Sequence, residues 1–142
     1  MKLTRASSYA LHALAYMAQQ KTDNPIASHK IAHERGIPER FLLKVLKPLV
    51  RARVLESVKG PNGGYRLARP LSDVTVLEVI EAVDDGEILG EAPRPTRNKK
   101  YPHYNPEISM PVYHKLEHMC KQISDTIRKH LEKVKVSELM RR

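Results

Sequence analysis

The residues best placed to do chemistry in this sequence are bases rather than acids or nucleophiles. Between Lys44 and Arg69 there are seven of them (Lys44, Lys47, Arg51, Arg53, Lys59, Arg66 and Arg69) against one acid, Glu56. Over all 142 residues, 25 Lys and Arg face 16 Asp and Glu, a formal net charge of +9. Such an excess attracts a polyanion, either nucleic acid or an anionic membrane surface. Groupings that signal covalent chemistry are missing. No glycine-rich loop precedes Lys-Ser/Thr, and no Ser-His-Asp set or pair of carboxylates in an apolar setting can be traced. Gly60 to Gly64 is too short for a nucleotide motif, and Asp84-Asp85 reads as a helix end. The expectation is a binding protein, not an enzyme.

Bases need a frame, and the segment from Ser28 to Leu49 offers one. Ala32 is followed four residues later by Gly36 and then Ile37, and Leu42 comes six residues after the glycine. In a helix-turn-helix the alanine position must be small because the second helix crosses over it. The glycine takes the left-handed turn, and the two later apolar residues plug the angle between the helices. An ordinary helical hairpin would satisfy the same spacing. The next segment separates the two: Val54 to Lys59 and Tyr65 to Ala68 are strand-like, joined by the turn formers Gly60-Pro61-Asn62-Gly63-Gly64. A helix-turn-helix followed by a glycine-tipped hairpin is the layout of a winged helix. The basic run then falls on the two elements that would meet phosphates.

The remaining elements are read from periodicity. Ala6, Ala10, Ala13, Leu14, Met17 and Ala18 recur at helical intervals from Thr4, a suitable N-cap, to Gln19. Helices are expected over Ser28 to Arg35 and from Pro38 to about Arg53, with a bend or a local irregularity near Lys44 because Pro48 lacks an amide donor. Thr75 and Glu78 have the spacing of a capping box at the start of a fourth helix, which closes at Asp84-Asp85-Gly86. From Gly86 to Pro111 periodicity fails. Five of the ten prolines lie there (Pro93, Pro95, Pro102, Pro106 and Pro111), with Arg94, Arg97, Lys99 and Lys100. A loop of this length tends to be functional or mobile. Val112, Leu116, Met119, Cys120, Ile123, Ile127, Leu131 and Val134 then form one apolar stripe, which needs a partner to cover it.

The expected fold is mainly α with a small β-hairpin: a winged helix-turn-helix plus a long C-terminal dimerisation helix. Residues 1–85 would be the DNA-binding domain, 86–111 a proline-rich loop, and 112–142 the dimerisation helix and tail. No apolar run reaches the ~20 residues of a membrane span. Ser7, Ser8 and His12 interrupt any signal-peptide core, and one cysteine rules out an internal disulfide framework. A cytoplasmic location is expected.

Ile37-Pro38-Glu39-Arg40-Phe41-Leu42-Leu43-Lys44-Val45-Leu46, with Val54-Leu55 and Val58 through Leu67, resembles the bacterial Rrf-two family of winged-helix transcription regulators, the IscR and NsrR type. Met1-Lys2-Leu3-Thr4, Tyr9-Ala10-Leu11, Ala13-Leu14 and Asp73-Val74-Thr75 are similar too, so the likeness covers about residues 1–85. It implies a homodimer on a palindromic operator in double-stranded DNA, with the long helix pairing with its mate and packing on the other subunit's DNA-binding domain. Carried over residue by residue, contacts fall to Arg40, Leu43, Lys44 and Lys47 on the recognition helix and to Ser28 and His29 before it. The wing contributes Lys59, Asn62, Gly63 and Gly64. Leu43 stands where some members have a glutamate for cytosine, so their operator does not transfer. Lys44 could reach a guanine edge or a phosphate.

Many members sense through an iron–sulfur cluster held by three cysteines in the loop after the fourth helix. Here that loop has no cysteine, so no cofactor is expected by default. Cys120 reads as an apolar residue of the dimer helix, or alternatively as a redox switch across a two-fold axis. His12 matches a position from which some members supply a ligand to the partner's cluster. His103 lies in the loop, and His114 and His118, spaced i, i+4, could hold a metal or haem iron. Tyr101, His103 and Tyr104 could instead line a pocket for a small-molecule effector. The rival reading of the whole chain is a protein-interaction adaptor using the winged-helix scaffold without DNA.

Overall fold

The computed structural model describes residues 3–84, 92, 94–95, 100 and 102–141. Asp85, Gly86, Pro93, Arg97, Lys99 and Tyr101, invoked above, lie outside the described residues. Five α-helices and a two-stranded antiparallel sheet make up the described fold, with two short 3-10 turns, Leu71–Asp73 and Val136–Met140.

Helix α1 (Arg5–Gln19) starts where expected, because the Thr4 hydroxyl accepts from the Ser7 amide at 3.1 Å. Its Ala10, Ala13, Leu14 and Met17 are buried. Small alanines let α2 (Ser28–Arg35) and α3 (Glu39–Arg51) approach α1 closely, and Ile31, Leu42, Leu46 and Leu49 fill the space between. Ser7 is buried as well, and its hydroxyl donates to Asp84, which also accepts from Thr4 at 2.7 Å. The start of α1 is thereby tied to the end of α4 (Val76–Val83). The capping box of α4 is present in full, with Thr75 and Glu78 satisfying each other's amides.

One proline expectation needs correcting. Pro38 is not inside α3 but caps it, its extended backbone (φ −58°, ψ 127°) placing its carbonyl to accept from Phe41 and Leu42. Pro48 does lie within α3, yet the helix runs through from Glu39 to Arg51. The carbonyl deprived of its amide is that of Lys44, a residue on the exposed face.

Strands β1 (Leu55–Val58) and β2 (Gly64–Leu67) pair with Leu55 opposite Leu67 and Val58 opposite Gly64. Sequence alone missed a third contributor. Ile26, just before α2, bridges Tyr65 with its amide and carbonyl, at 2.8 and 2.9 Å.

Helix α5 (Pro106–Glu132) begins at Pro106 rather than near Val112. The Asn105 side chain accepts from the Glu107 amide at 3.0 Å, and Pro106 sits in the first turn, where a missing amide costs nothing. No α5 residue is buried within this chain. Its last turns return to this chain's own domain. Arg128 pairs with Glu81 of α4, the Val76 amide reaches the Val134 carbonyl at 2.9 Å, and the Val136 amide reaches Val74 at 2.8 Å. Val136 itself is fully buried in the core of the winged unit. Among the described residues no helix is long and apolar enough to cross a membrane.

Candidate nucleic-acid interface

The turn between α2 and α3 has the geometry that the sequence spacing asks for. Gly36 is left-handed at φ 62°, and Ala32, Ile37 and Leu42 are all buried. The Ile37 amide returns to the Ala32 carbonyl at 2.9 Å, which closes α2 and aims α3 across it.

That crossing divides α3 into two faces. Leu42, Val45, Leu46 and Leu49 point into the core. Arg40, Lys44 and Lys47 are exposed on the opposite side, and Leu43 is half-buried at the margin. Phe41 is 48% exposed, with the Lys44 ammonium 5.6 Å from its ring centroid. Among the described residues no ion pair engages Arg40, Lys44, Lys47 or Lys59, so their charge is directed outward.

The wing stands beside this face. Lys59 and Asn62 are exposed at the tip, and Gly63 and Gly64 are half-buried. Both glycines are required by close backbone approach. A Cβ on Gly63 would lie 2.1 Å from the Val58 carbonyl oxygen, and one on Gly64 (φ +150°) 2.3 Å from that of Ile26. Asn24, Pro25, Ala27, Pro61, Asn62 and Gly63 frame an open groove between the wing tip and the start of α2. His29 is exposed in the first turn of α2, and the Ser28 hydroxyl donates to Glu39, the one acid of α3, at 3.3 Å.

Two of the seven bases counted from Lys44 to Arg69 are not free for phosphates. Arg66 pairs with Glu56 at 2.8 Å across the hairpin. Arg69 binds Glu78 at 2.7 Å and the Asp73 carbonyl at 2.8 Å, and points its Nε at the Arg53 carbonyl at 3.4 Å. It therefore ties the exit of the wing to the end of α3 and the start of α4. Burial alone would raise the Glu78 carboxyl. The Arg69 hydrogen bond and charge, with bonds from Thr75, outweigh that and leave it below its ordinary value.

The sensor candidates are not brought together. His12 is exposed on α1, His103 is exposed ahead of α5, and Cys120 is half-buried on α5. His114 and His118 are exposed one turn apart, with His114 Nδ1 3.8 Å from Glu117. Among the described residues no three His, Cys, Asp or Glu side chains are grouped to hold a metal ion. Ile108, Val112, Leu116, Met119 and Ile123 form an uncovered stripe on α5, with an apolar hollow of about 240 Å³ at its start.

Taken together, a left-handed turn between crossing helices, a basic outward helix face and a glycine-bound wing define a winged helix-turn-helix protein. The chain belongs to the Rrf2 family, described as iron-dependent transcriptional regulators, whose sequence pattern matches residues 3–142. It is 38% identical over 91 residues to Protein aau3 of Rhizobium meliloti (strain 1021), covering 64% of this chain and 58% of that one. To the HTH-type transcriptional regulator IscR of Vibrio atlanticus (strain LGP32) it is 38% identical over 85 residues, covering 60% of this chain and 49% of that one. The matches thus span between about half and three-fifths of these relatives' length. In fold it is similar to CymR, the global cysteine regulator of B. subtilis, with a TM-score of 0.66 at 20% identity over 99% of this chain and 96% of that one.

The family description names iron, and the donors here do not fit a cluster held by this chain's thiolates. The full sequence has a single cysteine, Cys120, which lies on α5 away from the loop.

Proposed function

We propose that this chain is a cytoplasmic, homodimeric, sequence-specific DNA-binding transcription regulator, a repressor of the operator it occupies. One observation carries this reading: the outward face of α3 presents Arg40, Lys44 and Lys47, engaged in no ion pair among the described residues, beside a wing tipped by Lys59 and Asn62. Arg40, Leu43, Lys44 and Lys47 enter the major groove, Ser28 and His29 approach the backbone, and Lys59 with Asn62 to Gly64 meets the neighbouring minor groove. By role, residues 1–85 bind DNA, 86–111 sense an effector and 112–142 dimerise. The naked α5 stripe, with no buried residue in one chain, supports the dimer.

The test uses duplexes that the protein itself selects from a randomised pool. Replacing Lys44 and Lys59 together by Ala should flatten the salt dependence. Each lost phosphate contact lowers the slope of log affinity against log salt by about 0.9. An unchanged slope removes these two lysines from the interface.

Sensing is assigned to a small-molecule effector rather than to a three-cysteine cluster, because only one thiolate per chain is available. Protein purified without oxygen is expected to be colourless and free of stoichiometric iron. An absorption band from a cluster or haem would reverse the assignment and direct attention to His103, His114 and His118.

A further inference from the structure

We propose that Phe41 reads base identity, packing its ring against the C5 methyl group of a thymine in the major groove. The inference rests on the DNA-binding reading above and adds a specificity-determining residue to it. Three observations lead there. Phe41 is the only phenylalanine in the sequence, and the sequence holds no tryptophan. Between residues 4 and 84, it is the one large hydrophobic side chain recorded as exposed, at 48%. Among the described residues the other large exposed hydrophobics are Leu3, Leu139 and the α5 stripe, which the proposed dimer would cover. About half of the ring's surface is left open in this chain, with the Lys44 ammonium 5.6 Å from its centroid.

Position selects the occupant. Phe41 is the third residue of α3, and the N-terminal residues of a recognition helix are those that reach base edges. Arg40, Lys44 and Lys47 surround it with positive charge, which suits a phosphate-lined groove. Within that groove thymine alone presents a methyl group, and phenylalanine is among the side chains that contact it. Lys44 stacked on one face of the ring would hold it in place and leave the edge free for the methyl.

The full-length protein would select duplexes from a randomised pool. Each thymine of the recovered half-site would then be replaced by deoxyuridine, which keeps the pairing and removes only the methyl. At one position per half-site, binding by the native protein should weaken about fourfold, the effect of one buried methyl group. Phe41→Ala should bind the thymine duplex more weakly and no longer distinguish it from the uracil duplex. Its salt slope should be unchanged, because no phosphate contact is lost. Its thermal midpoint should fall only modestly, because the ring is half packed in the free chain, and the loss of thymine discrimination should exceed what that change explains.

Several results overturn the proposal while leaving DNA binding intact: Phe41→Ala with native affinity, an equal deficit on thymine and uracil duplexes, or a selected half-site without thymine. The first of these would point to a protein partner at Phe41. Failure to select any duplex would remove the DNA-binding reading and this inference with it.

Discussion

At the level of single residues, charge count is a poor guide to which bases face outward. Arg66 and Arg69 belong to the same basic run as Lys44 and Lys59, yet each is paired with a carboxylate. For Arg69 the consequence is measurable. Glu78 titrates below its ordinary value of 4.5 in the folded chain, whereas unfolding restores that value. The unfolded state therefore takes up its proton at higher pH than the folded state does. The stabilisation is complete above about pH 4.5 and is lost as pH falls through the lower folded value. Glu78→Gln should be less stable at pH 6, by about 1 kcal/mol or less because the pair is partly exposed, and its stability should fall less steeply below pH 4.5. Urea unfolding at a series of pH values checks this; parallel curves for the two proteins would show that the pair is not coupled to folding.

At the level of elements, the wing is held by backbone approach rather than by side chains. Gly64 must be a glycine because its neighbour is the Ile26 carbonyl, and the bridge from Ile26 to Tyr65 depends on that contact. Gly64→Ala should cost about 1–3 kcal/mol and expose the Ile26 and Tyr65 amides to hydrogen exchange. Gly60→Ala, at φ +113° with open space around it, would meet only the backbone penalty and should cost less. Equal losses at the two sites would mean that the Ile26 contact is unimportant. The hairpin itself was legible, since turn formers flanked by β-branched and aromatic residues leave a local signature. So was α2, whose bounds match the periodic reading from Ser28 to Arg35. The Ile26 bridge was not, because a single paired residue between Pro25 and a helix has no period of its own. The start of α5 was hidden for a different reason. Pro106 and Pro111 read as breakers, yet the first is tolerated in an opening turn capped by Asn105. Ser7 and Val136 likewise act through partners distant in sequence, which no short window can reveal. The basic face of α3 could be read in advance because it follows from helical spacing alone.

At the level of the whole molecule, the chain is lopsided. The winged unit has a closed core, into which the C-terminal segment inserts Val136, while most of α5 stands clear with five large apolar side chains exposed. A helix of 27 residues with none buried in this chain leaves an apolar face that the proposed second copy would cover. Because Arg128 and Val134 fasten the end of α5 to α4, pairing two such helices would also fix the separation of two winged units. A two-fold operator requires that separation, its half-sites lying one helical turn or a multiple of it apart. Replacing Leu116 and Ile123 together by Asp should therefore give a monomer in sedimentation experiments. The winged unit should stay folded, because neither side chain contributes to its core. Affinity for a duplex with two half-sites should fall to that for one, since the second contact would no longer be intramolecular. Lys44→Ala, by contrast, should weaken DNA binding without changing sedimentation. If the doubly substituted protein still sediments as a dimer, the stripe on α5 is not what joins the subunits, and the spacing of the two recognition helices must be set by another surface.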